Sequence, residues 1–360
     1  MNKKERKEKK QRHQMMQIIV VTIAVLIAVA ALIIGAVSGS ESDTHNHNHD
    51  HDHERVATVE LRVGLAAGAE DVHYKSVEQF KEEVEEKSNG AIQVSIYGDG
   101  RLGSDRAMVN ALKNGDIGVD IVVTDVENFT EVDARMDISA LPFIFDSYED
   151  AWAFLDGDTQ ETIENDLQKQ NIRVLAHYSD GFDYITTSKT ALAKAFDFKN
   201  RTLAIEKNSE VSAALSTLGA MTRTLEANEL AHMLISEQID GYIGSLEKIV
   251  ENDISRNQRY LNVTYHCYHA QAFAISESVW NSLTEEQQSI VKAAAESSAM
   301  SDRKNVQQNA INIIKGMENT GVRVIYPSIN SIQKQVASNI HSYQSKYGDL
   351  INDVIRNMNQ

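Results

Sequence analysis

The chain has little that would hold a fold together covalently or equip it for chemistry. One cysteine, Cys267, occurs in 360 residues, which excludes an intrachain disulfide and a thiolate metal cluster, so packing must supply the stability even outside the cytoplasm. There is no nucleophile elbow, no phosphate-cradling glycine loop and no histidine–glutamate metalloprotease helix. The scattered carboxylates suffice for solvation, and no enzyme is expected. Positive charge is scarce as well. The net charge is −17, yet residues 1–14 hold seven Lys/Arg against two Glu, a surplus of five that leaves −22 on the rest. Such an acidic body lacks the basic stripe needed to replace counterions on phosphate, so nucleic acid is excluded as a partner.

What the amino-terminal region does have is a run without charge. Residues 15–37, MMQIIVVTIAVLIAVAALIIGAV, number 23, and at about 1.5 Å per residue they cover the roughly 30 Å of a bilayer's hydrocarbon. A cleaved signal peptide usually has an apolar core of about 7–15 residues, so the length favours an uncleaved transmembrane signal anchor, although Ala36-Val37-Ser38 would pass as a cleavage site. The basic segment 1–14 stays cytoplasmic by the positive-inside rule. The expectation is therefore a single-pass protein that meets the lipid bilayer through residues 15–37, with its globular part on the periplasmic or extracellular face.

Residues 38–57 form a polar tether with almost nothing to bury. Within it His45, His47, His49, His51 and His53 alternate with asparagine and aspartate, which in an extended chain puts all five imidazoles on one side, about 7 Å apart. Bending could bring two or three of them onto Zn²⁺, Ni²⁺ or Cu²⁺. No cofactor is required by this pattern. Adventitious metal binding on a solvated linker comes before a dedicated metal role, and partial protonation near pH 6 stays open.

Beyond the tether, strand and helix patterns alternate. Val59–Ala66, Ala91–Tyr97 and Val119–Thr124 read as strands, and Tyr74–Lys87 and Ser104–Asn114 as helices. Strands then follow over Ile172–His177, Tyr184–Ser188, Thr202–Glu206, Thr222–Leu225, Gly241–Ile243 and Tyr260–Ala274, with helices over Ser209–Leu218 and Glu229–Glu237. Thr284-Glu285-Glu286-Gln287 is a capping box opening a helix through about Met317, because threonine and glutamine can satisfy each other's free amides. Val322–Tyr326 is a further strand, and the last 30 residues are amphipathic and helical. The class is α/β with a mostly parallel sheet.

Several short motifs stand in a definite order. They are Gly100-Arg101-Leu102-Gly103, Leu141-Pro142-Phe143-Ile144-Phe145 followed by Tyr148-Glu149-Asp150-Ala151, then Gly181-Phe182-Asp183, Asp197-Phe198-Lys199-Asn200, Glu229-Leu230, Asp240-Gly241 and Ile275-Ser276 ahead of Trp280. In order and spacing, over roughly Val59 to Ile325, the chain resembles the DctP-like solute-binding subunits of TRAP transporters (tripartite ATP-independent periplasmic transporters). The resemblance implies a two-lobed, periplasmic-binding-protein-like fold with hinge strands and a long connecting helix. It also implies capture of a small polar solute between the lobes and delivery to TRAP membrane subunits. Lobe I would take residues 58–180 and about 270–310, lobe II residues 181–269 and about 311–330, and residues 331–360 the carboxy-terminal helices. An alternative on the same scaffold is a sensor or metal-handling binding protein that uses the histidine-rich tether.

The resemblance places two carboxylate-binding arginines at Asp183 and Ala204, and an asparagine at Gly244, so all three polar anchors are missing. Unpaired burial of a carboxylate costs several kcal/mol, so an acidic ligand would need Arg173, Lys189, Arg201, Lys207 or Arg223 to take over. Asp183 either holds an amine, a metal or a hydroxyl-rich ligand, or is a surface residue of an altered pocket. Glu70 and His73 lie where the first loop would approach the ligand, and Phe182, Tyr184, Tyr242 and Phe143 are candidate cleft aromatics. His266, Cys267 and His269 lie close together, but on one continuous strand residues 266 and 267 would face opposite sides.

Overall fold

The computed structural model describes residues 59–225 and 227–358. The amino-terminal segment, the apolar run and the tether with His45, His47, His49, His51 and His53 lie outside the described residues. No helix among the described residues is long and apolar enough to cross a membrane.

The first βαβαβ unit forms as its periodicities dictate. Strand β1 (Val59–Leu65), helix α1 (Val72–Lys87), β2 (Ile92–Tyr97), α2 (Asp105–Asn114) and β3 (Ile121–Asp125) follow in order. β2 and β3 both pair parallel with β1. Helix α1 begins two residues earlier than its apolar spacing predicts, because the Asp71 carboxylate accepts from the His73 amide at 2.8 Å and caps the helix. Its buried stripe, His73, Val77, Phe80 and Val84, recurs every three or four residues. With Leu61, Val63, Ile121 and Phe273 this stripe forms the core of the first sheet.

Two short helices, α3 (Tyr148–Leu155) and α4 (Asp158–Gln168), lead into β4 (Ile172–Phe182). β4 runs five residues past its expected end, since β10 (Tyr268–Ser276) pairs with it antiparallel along its whole length, from Ser276 opposite Ile172 to Tyr268 opposite Phe182. The first sheet has the order β2-β1-β3-β10-β4. A second holds β5 (Tyr184–Thr187), β6 (Thr202–Ile205), β7 (Met221–Thr224), β8 (Gly241–Gly244), β9 (Tyr260–Asn262) and β11 (Arg323–Ile325), in the order β11-β9-β5-β8-β6-β7. Helices α5 (Ser209–Thr217), α6 (Ala227–Ile235) and α7 (Leu246–Glu251) connect its strands. Its core joins Leu203, Leu215 and Ile243 to Phe143 from the Leu141–Phe145 segment and to Ile332 and Val336 from the carboxy-terminal helix.

The chain passes between the sheets at three places that matter for the site. β4 leads through Asp183 directly into β5. β9 leads into β10 through residues 263–267. The single strand expected over 260–274 is broken there, where Tyr265 takes φ +45° and the chain changes sheets. After the short α8 (Glu277–Ser282), helix α9 (Glu285–Asn319) opens with the expected Thr284/Gln287 capping box, packs on β4 and α1, and delivers the chain to β11. Its 35 residues span ~52 Å. Helices α10 (Ile329–Ser342), α11 (Gln344–Tyr347) and α12 (Leu350–Asn357) close the chain, and Tyr347 Oη donates to Asp137 Oδ1 at 2.9 Å.

Gly181, one residue before the end of β4, has φ +79°, and a Cβ there would stand 2.9 Å from Tyr148 Oη. Beyond it Phe182 packs among Tyr148, Tyr265 and Tyr268 with ring centroids 4.6–5.0 Å apart. Tyr184 joins the same cluster through Tyr265. Phe182 and Tyr184 are thus core residues at the crossing and do not line a cleft, as their exposure of 1% each confirms.

One buried charge network ties the long helix to this end of the sheet. Asp302 of α9, fully buried, accepts from the Ser179 amide at 3.0 Å and from His73 Nδ1 at 2.9 Å. Burial opposes the His73 charge, but the hydrogen bonds to Asp180 and Asp302 outweigh it and hold its pKa well above the usual value. The stabilisation from this imidazolium is fully present below about pH 6.5 and is lost as pH rises through the elevated native pKa. Asp302→Ala should therefore lower the unfolding free energy by on the order of 3 kcal/mol at pH 6, with the gap narrowing at alkaline pH, as read by urea denaturation.

Candidate functional site

In each sheet the parallel strands end on the side where the chain crosses, and side chains gather at those carboxy-terminal edges, where ligand crevices form in open α/β sheets. In the first sheet a cavity of about 130 Å³ lies beyond β1 and β3, lined by Ala66, Ala67, Asp105, Asp125, Asp180 and Gln271. Asp180, near the end of β4, accepts from His73 Nε2 at 2.5 Å and from Gln271 Nε2 at 2.7 Å. Burial pushes the Asp180 carboxyl up, but His73 and Gln271 more than offset that and hold it at about 2. Its neighbour Asp125 behaves oppositely: burial, together with the Asp180 and Glu127 charges, raises it to about 7. Glu127 is also raised, chiefly by burial.

The second sheet contributes a cavity of about 270 Å³, lined by Ala204, Glu206, Leu230, Tyr242, Lys248 and Asn252 among others. Lys248 Nζ donates to Glu206 Oε1 at 2.6 Å. Gly244 makes room for Tyr242, because a Cβ there would stand 2.5 Å from the Tyr242 hydroxyl. Among the described residues lining the two cavities, Lys248 is the one cation.

Asp183 sits at the crossing between the two sheets. Its amide donates to the Cys267 carbonyl at 2.9 Å, and its Oδ2 lies 3.1 Å from His269 Nε2. Burial pushes the Asp183 carboxyl up and His269 pulls it below its ordinary value. For His269, burial disfavours the charge, but Asp183 and Cys267 raise its pKa well above the usual value. The Cys267 thiol is pushed up by burial. Oxygen, sulfur and nitrogen atoms of Asp183, Cys267 and His269 all lie within 4.8 Å of one another.

The other sequence candidates sit elsewhere. Glu70 is fully exposed and turned to solvent beside Lys75 at 3.6 Å, away from both cavities. His73 does not reach the open space directly; it braces Asp180 from behind. Ala204 and Tyr242 line the second cavity, and Phe143 belongs to the second core. Arg173 is paired with Glu277 at 2.7 Å and Arg201 with Asp240 at 3.2 Å, while Lys189 is paired with Glu237; Lys207 and Arg223 are exposed. None of the five lines either cavity. His266 points into the core, where its Nδ1 lies 2.6 Å from Thr264 Oγ1 and its ring stacks near Phe143. A larger cavity of about 730 Å³ lies between α4, the start of β4 and α9. In it Arg303 pairs with Asp156 at 2.7 Å, and burial takes His177 down to about 3 and Glu164 up to about 8. Arg173, Lys292 and Lys304 also line it, the first two paired with Glu277 and Glu296.

Sequence reasoning missed Asp125, Glu127, Asp180, Gln271 and Lys248. The first two close the strand VDIVVTD and the turn after it, where a carboxylate at a strand end was a usable signal. Cys267 and His269, two residues apart, share one side by the same alternation that turns His266 away, and the third member of their cluster is Asp183 from the neighbouring crossing.

Comparison with known proteins gives one consistent picture. The family model for "Bacterial extracellular solute-binding protein, family 7" matches residues 63–348. The 2,3-diketo-L-gulonate-binding periplasmic protein YiaO of Escherichia coli is 24% identical over 270 residues, 75% of this chain and 82% of the relative. A TRAP periplasmic solute-binding protein from Ochrobactrum anthropi, its carboxy terminus bound in its ligand-binding pocket, superposes with TM-score 0.77 at 23% identity, covering 84% of this chain and 96% of that one. The sugar acid binding protein of Advenella mimigardefordensis, in complex with galactonate, has TM-score 0.64 and 24% identity over 84% of this chain and 98% of that one.

The acidic pair yields a pH signature. An Asp125 carboxyl at about 7, against an ordinary 3.8, keeps a proton in the native state that the unfolded chain has released, so this group's contribution to stability falls as pH rises between those two values. Asp125→Asn should gain stability relative to the wild type from about pH 4 to pH 7.5, measured as urea midpoints. A difference independent of pH would contradict the assignment.

Proposed function

Because the chain belongs to the bacterial extracellular solute-binding proteins of family 7, the solute-capturing subunits of TRAP transporters, we propose that it holds a small, hydroxyl-rich solute between its two sheets and closes over it at the Asp183 and 263–267 crossings. The observation that carries this reading is the pair of cavities at the carboxy-terminal edges of parallel strands in two sheets, with Asp183 at the crossing that joins them. Closure of this kind needs only small backbone rotations at the connecting segments. The work is binding and release to the membrane subunits; no bond is made or broken. The sensor or metal-handling alternative is not favoured by the family match.

Chemistry narrows the solute. Asp125, Asp180 and Gln271 line the first cavity, where carboxylate and amide oxygens accept hydrogen bonds from hydroxyls. Tyr242 in the second cavity offers a flat apolar face with a polar tip. The named relatives bind 2,3-diketo-L-gulonate and galactonate, which are hydroxyl-rich acids. A sugar acid fits this cleft through its hydroxyls, while its carboxylate has only Lys248 as a cationic partner among the lining residues.

We further propose that residues 15–37 keep this binding domain at the membrane, supported by their 23 uncharged positions and the basic segment before them. The protein should then sediment with membranes in carbonate-washed fractions, and a chain lacking residues 1–37 should not.

A thermal-shift series against sugar acids, neutral polyols, simple dicarboxylates and amines tests the solute class, since a ligand specific to the folded state raises the melting temperature by mass action. Sugar acids or polyols are expected to stabilise. Asp180→Asn should weaken the best of them about tenfold or more, the loss of one hydrogen bond to a charged group. Stabilisation by amines alone would overturn the hydroxyl reading.

A further inference from the structure

The crossing between the sheets holds three side chains whose chemistry goes beyond hydrogen bonding. We propose that Asp183, Cys267 and His269 form a binding site for a zinc-class transition metal, with its remaining coordination position open to an oxygen of the captured solute. The second part of this proposal rests on the solute-binding reading; the first does not.

The donors are of the right kind and in the right place. One carboxylate oxygen, one sulfur and one imidazole nitrogen lie within 4.8 Å of one another, and the Asp183–His269 pair is already at 3.1 Å. Metal–ligand bonds of about 2.0–2.3 Å require donor atoms roughly 3.3–3.8 Å apart in a tetrahedron, so closing the triad asks the sulfur for a shift on the order of 1 Å. That sulfur lies 3.6 Å from the Ala140 carbonyl and already hydrogen-bonds His269, one of the other two donors. A thiolate with an imidazole selects zinc, cobalt or copper over calcium and magnesium, which prefer all-oxygen shells.

The backbone prepares the arrangement. Cys267 and His269 are two residues apart on one side of the chain entering β10, and the third donor comes from the neighbouring segment, where the Asp183 amide is fixed to the Cys267 carbonyl at 2.9 Å. Three protein donors leave one tetrahedral position free, the pattern of sites that accept an exchangeable ligand. Side chains of Asp183 and His269 are 19% and 33% exposed, so this position is reachable from solvent. A hydroxyl-rich acid has the oxygen to fill it, and the coordination bond would supply the grip that the cleft's single lysine does not.

Cobalt is the probe, because Co²⁺ takes tetrahedral zinc sites and its thiolate bond gives a charge-transfer absorption in the near ultraviolet. The full chain is used with His45, His47, His49, His51 and His53 each replaced by asparagine, so that the tether contributes no imidazole. We expect one equivalent of Co²⁺ with the charge-transfer band, displaced by Zn²⁺. Cys267→Ser should remove the band, and Asp183→Asn and His269→Asn should each weaken Co²⁺ binding at least tenfold; metal-free melting curves of the three variants establish that each is folded. Absence of the band in the parent protein overturns the site without recourse to any variant, as does a band that survives Cys267→Ser. Galactonate should then shift the cobalt visible spectrum and stabilise the protein more with Zn²⁺ than with EDTA. Equal stabilisation in both removes the solute from the metal while leaving the solute-binding reading intact. No stabilisation by galactonate or any other solute, with the band present, leaves the metal site standing and sinks that reading.

Discussion

The hydrogen bond from the Asp183 amide to the Cys267 carbonyl joins the two segments by which the strands change sheets, and the rest of the site is arranged around it. β4 and β10 pair antiparallel up to this point and then diverge, β4 into β5 and β10 back from β9. One apolar cluster spans the crossing, from Val122 and Val174 of the first sheet through Phe182 to Tyr242 and Leu261 of the second. The aromatic cluster of Phe182, Tyr148, Tyr265 and Tyr268 fills the space beneath. Apolar side chains can slide against one another at small cost, whereas a buried polar network there would lock the angle.

Around this point the protein gathers Asp125, Asp180, Asp183 and Asp302, kept by three devices. Asp302 and Asp180 share the His73 cation; Asp183 has His269; Asp125 keeps its proton up to about pH 7 chiefly because it is buried, with the Asp180 charge beside it adding to the shift. Two carboxylates whose environments push their affinities for protons apart can be neighbours without paying the full repulsion. The price is sensitivity to pH at the first cavity; in the second, Glu206 is paired with exposed Lys248.

Family membership and local chemistry point the same way on mechanism and differ on the anchoring groups. The fold aligns with solute-binding proteins that hold sugar acids, yet here Asp183, Ala204 and Gly244 leave the cleft without a guanidinium. Gly244 is needed for another purpose, clearance for the Tyr242 phenol, and Ala204 is buried within β6 at 1% exposure, so neither position can regain a charged side chain without repacking.

Alternation and helical spacing determined the βαβαβ start, the Thr284 capping box and the long helix, because each depends on neighbours within a few residues. The ordered motifs from Gly100 to Trp280 disclosed the two-lobed architecture, and the residues at 183, 204 and 244 marked the positions where this chain departs from the pattern it resembles. The extra length of β4 and the break between β9 and β10 were not readable, since both follow from pairing across more than 60 residues. The tertiary structure alone decided that Phe182 and Tyr184 are core, that Glu70 faces solvent, and that Asp125, Asp180, Asp183, Cys267 and His269 converge. Those residues come from β3, β4, the crossing and β10, and only the strand order of the first sheet, with its antiparallel β10 inserted between β3 and β4, brings their ends to one edge.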